Sequence, residues 1–262
     1  MTRPPFRFLL PWSLVLGAAP TVSLAAASDL ISCLDDLNAA FLQIENPKSK
    51  TENPTTLTVA TGSSGNFFAQ IKNGAPYDLF LSADLSYPRA LIDARLADPA
   101  SLTPYAIGRL VLWTTRTDLA LTDLATTLRD PRVKKLAIAN PAHAPYGRAA
   151  QQTLDQLGLS ADAAPKLVLG ENIAQTAQFV QTGHADAGLV AFSLVLSPHL
   201  REPGRWLEIP VSLHAPLEQA AVLTTRGAAN PAAVRYLAFL SSPSARTIFH
   251  RFGFQLPAEA TP

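Results

Sequence analysis

Residues 61–84 read TGSSGNFFAQIKNGAPYDLFLSAD and form the clearest structural pattern in the chain. The pattern indicates the end of a β-strand, a Gly/Ser turn, an amphipathic helix that ends at Gly74, and a second strand. The turn places hydroxyl and backbone N–H groups at the start of the helix, where the helix dipole favours an anion. This stretch therefore predicts a strand–turn–helix unit with an anion-binding end.

Three more segments follow the same design. Strands are predicted at residues 21–26, 136–139 and 167–169, and each leads through a polar turn into a helix. Ser28 is expected to cap the first of these helices. In open parallel sheets, ligands bind beyond the carboxyl ends of the strands. Two units precede residue 90 and two follow residue 130, so a cleft between two lobes would bring four helix starts to one small volume.

Two extended apolar segments are candidates for the crossings between the lobes. They are residues 105–113 and 209–222, which are flanked by prolines. The predicted organisation is a signal peptide at 1–19, a first lobe at 20–106 plus 216–262, and a second lobe at 107–215. Two crossings predict a hinge.

The composition is that of an ordered globular protein. Of 262 residues, 48% are apolar and 16% are charged, and 21 basic residues nearly balance 20 acidic ones. This balance gives no reason to expect nucleic acid or an anionic membrane surface as a partner.

The N-terminus has the pattern of an export signal. Arg3 and Arg7 precede a short apolar run at 8–16, and small residues at 17–19 suit a cleavage site, as do those at 25–27. A periplasmic location is therefore expected. Cys33 is the only cysteine, which excludes an internal disulfide; a core thiol is favoured over lipidation.

Several polar residues are candidates for a site. Ser64 lies in a turn that lacks the Gly-x-Ser-x-Gly spacing of a hydrolase and the ending of a nucleotide P-loop, so it is either part of a plain turn or an anion donor. Tyr146 and Ile173 stand at predicted helix starts, where their backbone amides could donate. No histidine has metal-ligand spacing. The basic residues nearest to these turns are interpreted as solvated: Arg109, Arg148 and Lys166.

In this order, the motifs resemble those of the molybdate-binding periplasmic proteins that serve ABC transporters. The matching segments are AAAS (25–28), residues 61–84, AIANP (137–141), PYG (145–147), GENI (170–173), ADAGLV (185–190) and FHRFGF (249–254). The resemblance implies an α/β, type II periplasmic-binding fold with two lobes, a cleft and two hinge crossovers. By position, it implies that molybdate or tungstate is bound by Ser28, Ser64, Tyr146 and Ile173. Molybdenum would be present only as the centre of the oxyanion. Some family members have a tyrosine donor where this chain has Ala191, and Tyr146 is the candidate to replace it.

This donor set suits a fully deprotonated dianion, because hydroxyls and amides only donate to its oxygens. With no carboxylate expected in the site, hydrogen phosphate would lack an acceptor for its own proton. The resemblance predicts a monomeric carrier that delivers molybdate or tungstate to an inner-membrane permease, with no cofactor and no enzymatic activity. Two alternatives stay open: the same fold with another oxyanion such as sulfate, and a hydrolase that uses Ser64 with a histidine such as His143.

Overall fold

The fold is built on two five-stranded sheets. The computed structural model describes residues 19–47, 53–198, 200 and 203–257, so nearly all of the expected export signal lies outside the described residues. The strand order is β2-β1-β3-β10-β4 in the first sheet and β7-β6-β8-β5-β9 in the second. The strands are β1 Thr21–Ala27, β2 Thr56–Gly62, β3 Leu79–Ser82, β4 Thr103–Gly108, β5 Leu110–Thr114, β6 Leu136–Ala139, β7 Leu167–Gly170, β8 Ala187–Ala191, β9 Arg205–Glu208 and β10 Leu217–Leu223.

Helices flank both sheets. The α-helices are α1 Leu34–Glu45, α2 Ser64–Lys72, α3 Ser86–Asp93, α4 Leu124–Arg129, α5 Pro145–Gln156, α6 Ser160–Ala163, α7 Ile173–Gln181, α8 Phe192–Val195, α9 Thr225–Ala228, α10 Pro231–Leu240 and α11 Pro243–Arg251. Short 3-10 helices lie at Ser28–Leu30, Pro99–Ser101, Ala164–Lys166 and Val211–Leu213. Within the described residues, no helix has both the length and the apolar character needed to cross a membrane.

Each sheet has its own apolar core. In β1, Leu24 and Ala26 face one cluster and Ala25 faces another, so this central strand is buried on both sides. Such burial explains why the parallel strands read as continuous apolar runs. A separate cluster forms around β5, β6 and β8 of the second sheet. Cys33 lies fully buried in the first core, as the prediction of a core thiol requires.

The chain passes between the sheets at two places. The first crossing is at Arg109, between β4 and β5; the second is the segment between β9 and β10. Ile107 and Gly108 still pair with β10 in the first sheet, so the first crossing follows Gly108. The predicted two-lobed α/β architecture is confirmed.

The parallel strands β1, β2, β6 and β7 place their following turns at the cleft, as predicted. One detail of the prediction is wrong, because Ser28 does not cap a helix through its side chain. It begins a 3-10 helix whose N-cap is Ala27, and α1 starts only at Leu34. The Ser28 hydroxyl instead accepts a hydrogen bond from Ala174 N, at 3.4 Å, in the second lobe.

Candidate functional site

A small cavity lies where the two lobes meet. Its lining comes from the ends of β1, β2 and β3 and from the starts of α5 and α7: Ala27, Ser28, Asp29, Gly62, Ser63, Ser64, Ala83, Ala144, Pro145, Tyr146 and Ile173. The structure thus brings all four predicted site residues to one cavity. The volume in which the centre of a water molecule can lie is about 10 Å³, so the cavity has room for about one water. The closed cavity therefore suits a small ligand.

Two serine hydroxyls are held as donors toward this cavity. Ser64 Oγ accepts a hydrogen bond from Ala83 N at 3.0 Å, and Ser28 Oγ accepts the bond from Ala174 N. Each hydroxyl therefore has its own proton left over, with no acceptor for it in the described part of the chain. Both serines are buried, at 1% and 3% exposure for Ser64 and Ser28. A buried hydroxyl with a spare proton suits an anionic acceptor.

Three helix starts add backbone donors. Ser64 begins α2, Tyr146 is the second residue of α5, and Ile173 begins α7. First-turn amides have no acceptor within their own helix, and these three have no other acceptor among the described residues. The three helices have 9, 12 and 9 residues, so each carries a dipole whose positive end is at the cavity.

Local sequence explains these helix starts. Ser63 caps α2 by accepting from Asn66 N, and Asn172 caps α7 by accepting from Gln175 N. Pro145 occupies the first position of α5, where a missing N–H has no cost. Because Ser63 performs the capping, the Ser64 hydroxyl is released from that role.

Asp29 is the cavity residue that the sequence analysis missed. Its carboxyl is fully buried and lines the cavity, so the expectation of a site without a carboxylate is wrong. Oδ2 accepts from Tyr146 Oη at 3.2 Å and from Gln219 Nε2, whereas Oδ1 is buried with no partner in the described structure. Burial raises the pKa of Asp29 to about 6, although its two hydrogen bonds act in the opposite direction. The sequence did contain a signal for Asp29, because this residue follows a buried strand and directly adjoins the predicted site residue Ser28.

The Tyr146 hydroxyl is engaged by protein groups. It donates to Asp29 Oδ2 and lies 3.4 Å from Gln219 Nε2. The ring therefore does not offer a free hydroxyl to replace the donor that is missing at Ala191. What Tyr146 presents at the start of α5 is its backbone amide.

The three basic residues named from the sequence lie outside the cavity lining, but each is engaged by a protein group and none is simply solvated. Arg109 pairs with Glu208, and Arg148 pairs with Asp84. Lys166 donates to a backbone carbonyl on α4. In the described residues, no group of three or more His, Cys, Asp or Glu side chains could hold a metal ion. The site therefore presents neutral donors and one carboxyl to its ligand.

Contacts at the rim join the two lobes. Gly65 N donates to His143 O at 2.9 Å, and Ser63 Oγ lies 3.0 Å from His143 Nδ1. Asn66 Nδ2 donates to Glu171 at 3.1 Å. His143 thus contacts Ser63 and not Ser64, whose Oγ bonds to Ala83 N, so the geometry lacks the Ser64–His143 pair that a hydrolase would need.

Beside this rim, Arg148 forms a second link between the lobes. It donates to the Tyr87 hydroxyl at 3.1 Å, lies over the Tyr87 ring at 5.2 Å, and forms an ion pair with Asp84. Arg148 belongs to α5, whereas both of its partners adjoin the first sheet. Together with the contacts of Gly65 and Asn66, this link holds the cleft closed.

Comparison with known proteins gives consistent results. Residues 22–255 match the family described as bacterial extracellular solute-binding protein. The chain is 38% identical to the molybdate-binding protein ModA of Rhodobacter capsulatus, over 92% of this chain and 93% of the relative. It is 37% identical to ModA of Azotobacter vinelandii, over 91% of each. The solved structure of the Azotobacter vinelandii periplasmic molybdate-binding protein superposes with a TM-score of 0.80 at 31% identity, covering 90% of this chain and 99% of that one. The predicted type II periplasmic-binding fold is confirmed.

Proposed function

We propose that this chain, which belongs to the bacterial extracellular solute-binding protein family, captures molybdate or tungstate and delivers it to an ABC permease. The observation that carries this proposal is the convergence of donors on one cavity. Three helix amides without a partner among the described residues, and two hydroxyls with a spare proton, come from both lobes. Relatives named as molybdate-binding proteins cover almost the whole chain, which supports the choice of cargo.

The ligand residues we propose are Ser28, Ser64, Tyr146 and Ile173. Ser28 and Ser64 donate through hydroxyls; Ser64, Tyr146 and Ile173 donate through amides. Hydrogen bonds to a charged acceptor are worth about 1.5–3 kcal/mol each, so several together offset the cost of desolvating the ion and closing the lobes. In the described part of the chain, no cation lines the cavity to oppose release once the lobes separate.

The size of the cavity favours a small cargo. The closed cavity has room for about one water, so a tetrahedral oxyanion requires less opening of the cleft than a sugar or an amino acid would. Sulfate offers the same acceptors as molybdate and has to be distinguished by size, because its bonds are shorter. Hydrogen phosphate carries a proton, for which an ionised Asp29 would be an acceptor.

Closure would follow from contacts made by both lobes. We propose that the lobes divide at Arg109 and between β9 and β10, and that these crossings form the hinge. An ion that bonds to both lobes stabilises the closed state over the open one. We further propose that the protein acts in the periplasm as a monomer, without a cofactor and without enzymatic activity.

The test is titration calorimetry on purified, ligand-stripped protein. Molybdate, tungstate, sulfate and phosphate would be titrated separately and then in competition with molybdate. We expect micromolar or tighter affinity for molybdate or tungstate, and at least tenfold weaker binding of sulfate and phosphate. Absence of binding by both metal oxyanions would refute the proposal, and preferential binding of sulfate would change the cargo.

A further inference from the structure

Asp29 is a buried carboxyl with one unpartnered oxygen in a binding cavity. Tyr146 Oη, at 3.2 Å, and Gln219 Nε2 both donate to Oδ2. Oδ1 is buried and has no hydrogen-bond partner in the described residues, although Asp29 lines the cavity. A buried polar atom without a partner is costly, so such an atom in a cavity suggests a bond completed by the ligand.

We propose that Asp29 is a neutral carboxylic acid in the loaded protein and that its Oδ1–H donates a hydrogen bond to the bound oxyanion. This inference rests on the proposed function. The protons balance: as the dianion enters, an ionised Asp29 takes up one proton from solvent at Oδ1, and this proton returns to solvent when the ion leaves. Asp29 would thereby be a further ligand residue that couples binding to pH.

The hydrogen-bond pattern at Asp29 fits the neutral form. As the carbonyl oxygen of an acid, Oδ2 accepts the two donors from Tyr146 and Gln219, and the proton resides on Oδ1. The ionised form would instead place an acceptor and a negative charge beside an ion that only accepts hydrogen bonds. Burial already favours the neutral acid at mildly acidic pH, and a dianion in the same cavity raises the pKa of Asp29 further.

Among the described residues, the groups that face Asp29 do not supply a compensating positive charge. Tyr146 from α5, Tyr105 from β4 and Cys33 before α1 are buried groups whose pKa values burial raises well above their usual range, so all three are neutral. The remaining side chains in contact, Gln219 from β10 and Ser193 from α8, do not titrate. On the cavity rim, His143 contacts Ser63 Oγ and has to be controlled for separately.

The coupling has a measurable form. Between the pKa of Asp29 in the empty protein and its higher pKa in the loaded protein, binding takes up one proton. In that window the Kd rises about tenfold for each unit of increasing pH. Below the window Asp29 is neutral in both states, and the Kd no longer depends on its titration.

The experiment is calorimetry of the ligand-stripped protein with molybdate from pH 5 to 8. At each pH, two buffers with different ionisation enthalpies, such as PIPES and imidazole at pH 7, give the number of protons taken up. We expect close to one proton at pH 7. Asp29→Asn should take up close to none and should show a pH-independent Kd. Its amide oxygen still accepts from Tyr146 and Gln219, while its NH2 group replaces the donor to the ion.

Two further variants separate this role from general damage. Asp29→Ala lacks any donor and should weaken binding at least tenfold at pH 5, and Asp29→Asn should recover most of that loss. His143→Gln should still take up close to one proton. The inference is overturned if the wild-type protein binds molybdate without proton uptake, if Asn is as damaging as Ala, or if His143→Gln abolishes the uptake. If the wild-type protein binds neither molybdate nor tungstate at any pH, the proposed function itself fails.

Discussion

Gly65→Ala should hold the cleft open without harming the fold. Gly65 is the second residue of α2 and directly faces the other lobe. A Cβ at this position would lie 2.6 Å from His143 O, 2.7 Å from His143 Cβ and 2.5 Å from Tyr87 Oη. The closest backbone contact is thus about 0.8 Å inside the 3.4 Å at which ordinary contact begins. The Gly65 backbone has no positive φ, so alanine suits the helix itself.

The size of the effect follows from this displacement. Separating the lobes by about 0.8 Å breaks the 2.9 Å bond from Gly65 N to His143 O. It also draws the donors of one lobe away from an ion held by the other. Loss of one or two charge-assisted hydrogen bonds costs about 2–4 kcal/mol, which raises the Kd for molybdate by about 30- to 700-fold. The melting temperature of the ligand-free variant should be unchanged or slightly higher, since alanine replaces glycine in a helix.

Calorimetry and ligand-free thermal melts measure the two quantities separately. Gly74→Ala is the matched control. A Cβ at Gly74 would point into open space, but the backbone φ is 88°, so this variant should lose folding stability and keep its affinity for molybdate. Tyr87→Phe added to Gly65→Ala should not restore binding, because the backbone carbonyl of His143 still blocks closure. Wild-type affinity in Gly65→Ala would refute the idea that closure at this rim is required for binding.

Three other changes test the site and its surroundings. Ser64→Ala should weaken molybdate binding by about 1–3 kcal/mol and also lower the melting temperature, because the buried Ala83 N–H loses its acceptor. Arg148→Ala removes the ion pair with Asp84 between the lobes and should raise the Kd about fivefold, or about 1 kcal/mol, with the effect reduced by salt. Asp29→Asn should raise the free energy of unfolding at pH 8 by up to about 3 kcal/mol and have little effect at pH 4, by denaturant titration.

The sign of the last effect follows from the pKa of Asp29. The pKa of Asp29 is about 6 in the folded protein, against an ordinary 3.8. Between pH 3.8 and about 6, the folded protein therefore keeps a proton on Asp29 that the unfolded chain loses. Stability therefore falls as pH rises through this window and stays lowered above it. Equal unfolding curves for wild type and Asp29→Asn at pH 8 would contradict the conclusion that burial raises the pKa of Asp29.

One control variant and one refuting outcome complete the other tests. Arg129→Ala removes an exposed ion pair that lies within one lobe, so it should leave the Kd unchanged where Arg148→Ala does not. If both arginine variants behave alike, the Arg148 contact does not act between the lobes. A Ser64→Ala protein with wild-type affinity would remove that hydroxyl from the proposed ligand set.

Local patterns in the sequence were sufficient for the strands of the four predicted strand–turn–helix units and for their order. Leu136–Ala139 is a strand at the predicted residues, and Gly74 follows the end of α2, as predicted. Its φ of 88° explains why glycine stands there. The resemblance of short motifs in a fixed order also selected four of the residues that line the cavity. These predictions succeed because strand alternation, helix period and turn chemistry depend on near neighbours in the chain.

What only the tertiary structure decided is which groups meet across the cleft. The Ser28 hydroxyl was predicted to cap its own helix, yet it bonds to Ala174 N in the other lobe. Asp29 was not among the predicted site residues, yet it is buried against Tyr146 and Gln219, which lie more than a hundred residues away in sequence. A carboxyl is charged or neutral according to its burial and partners, and those are set by how the two sheets pack. The sequence therefore determined where donors stand along the chain, and the packing of the lobes determined what each donor faces.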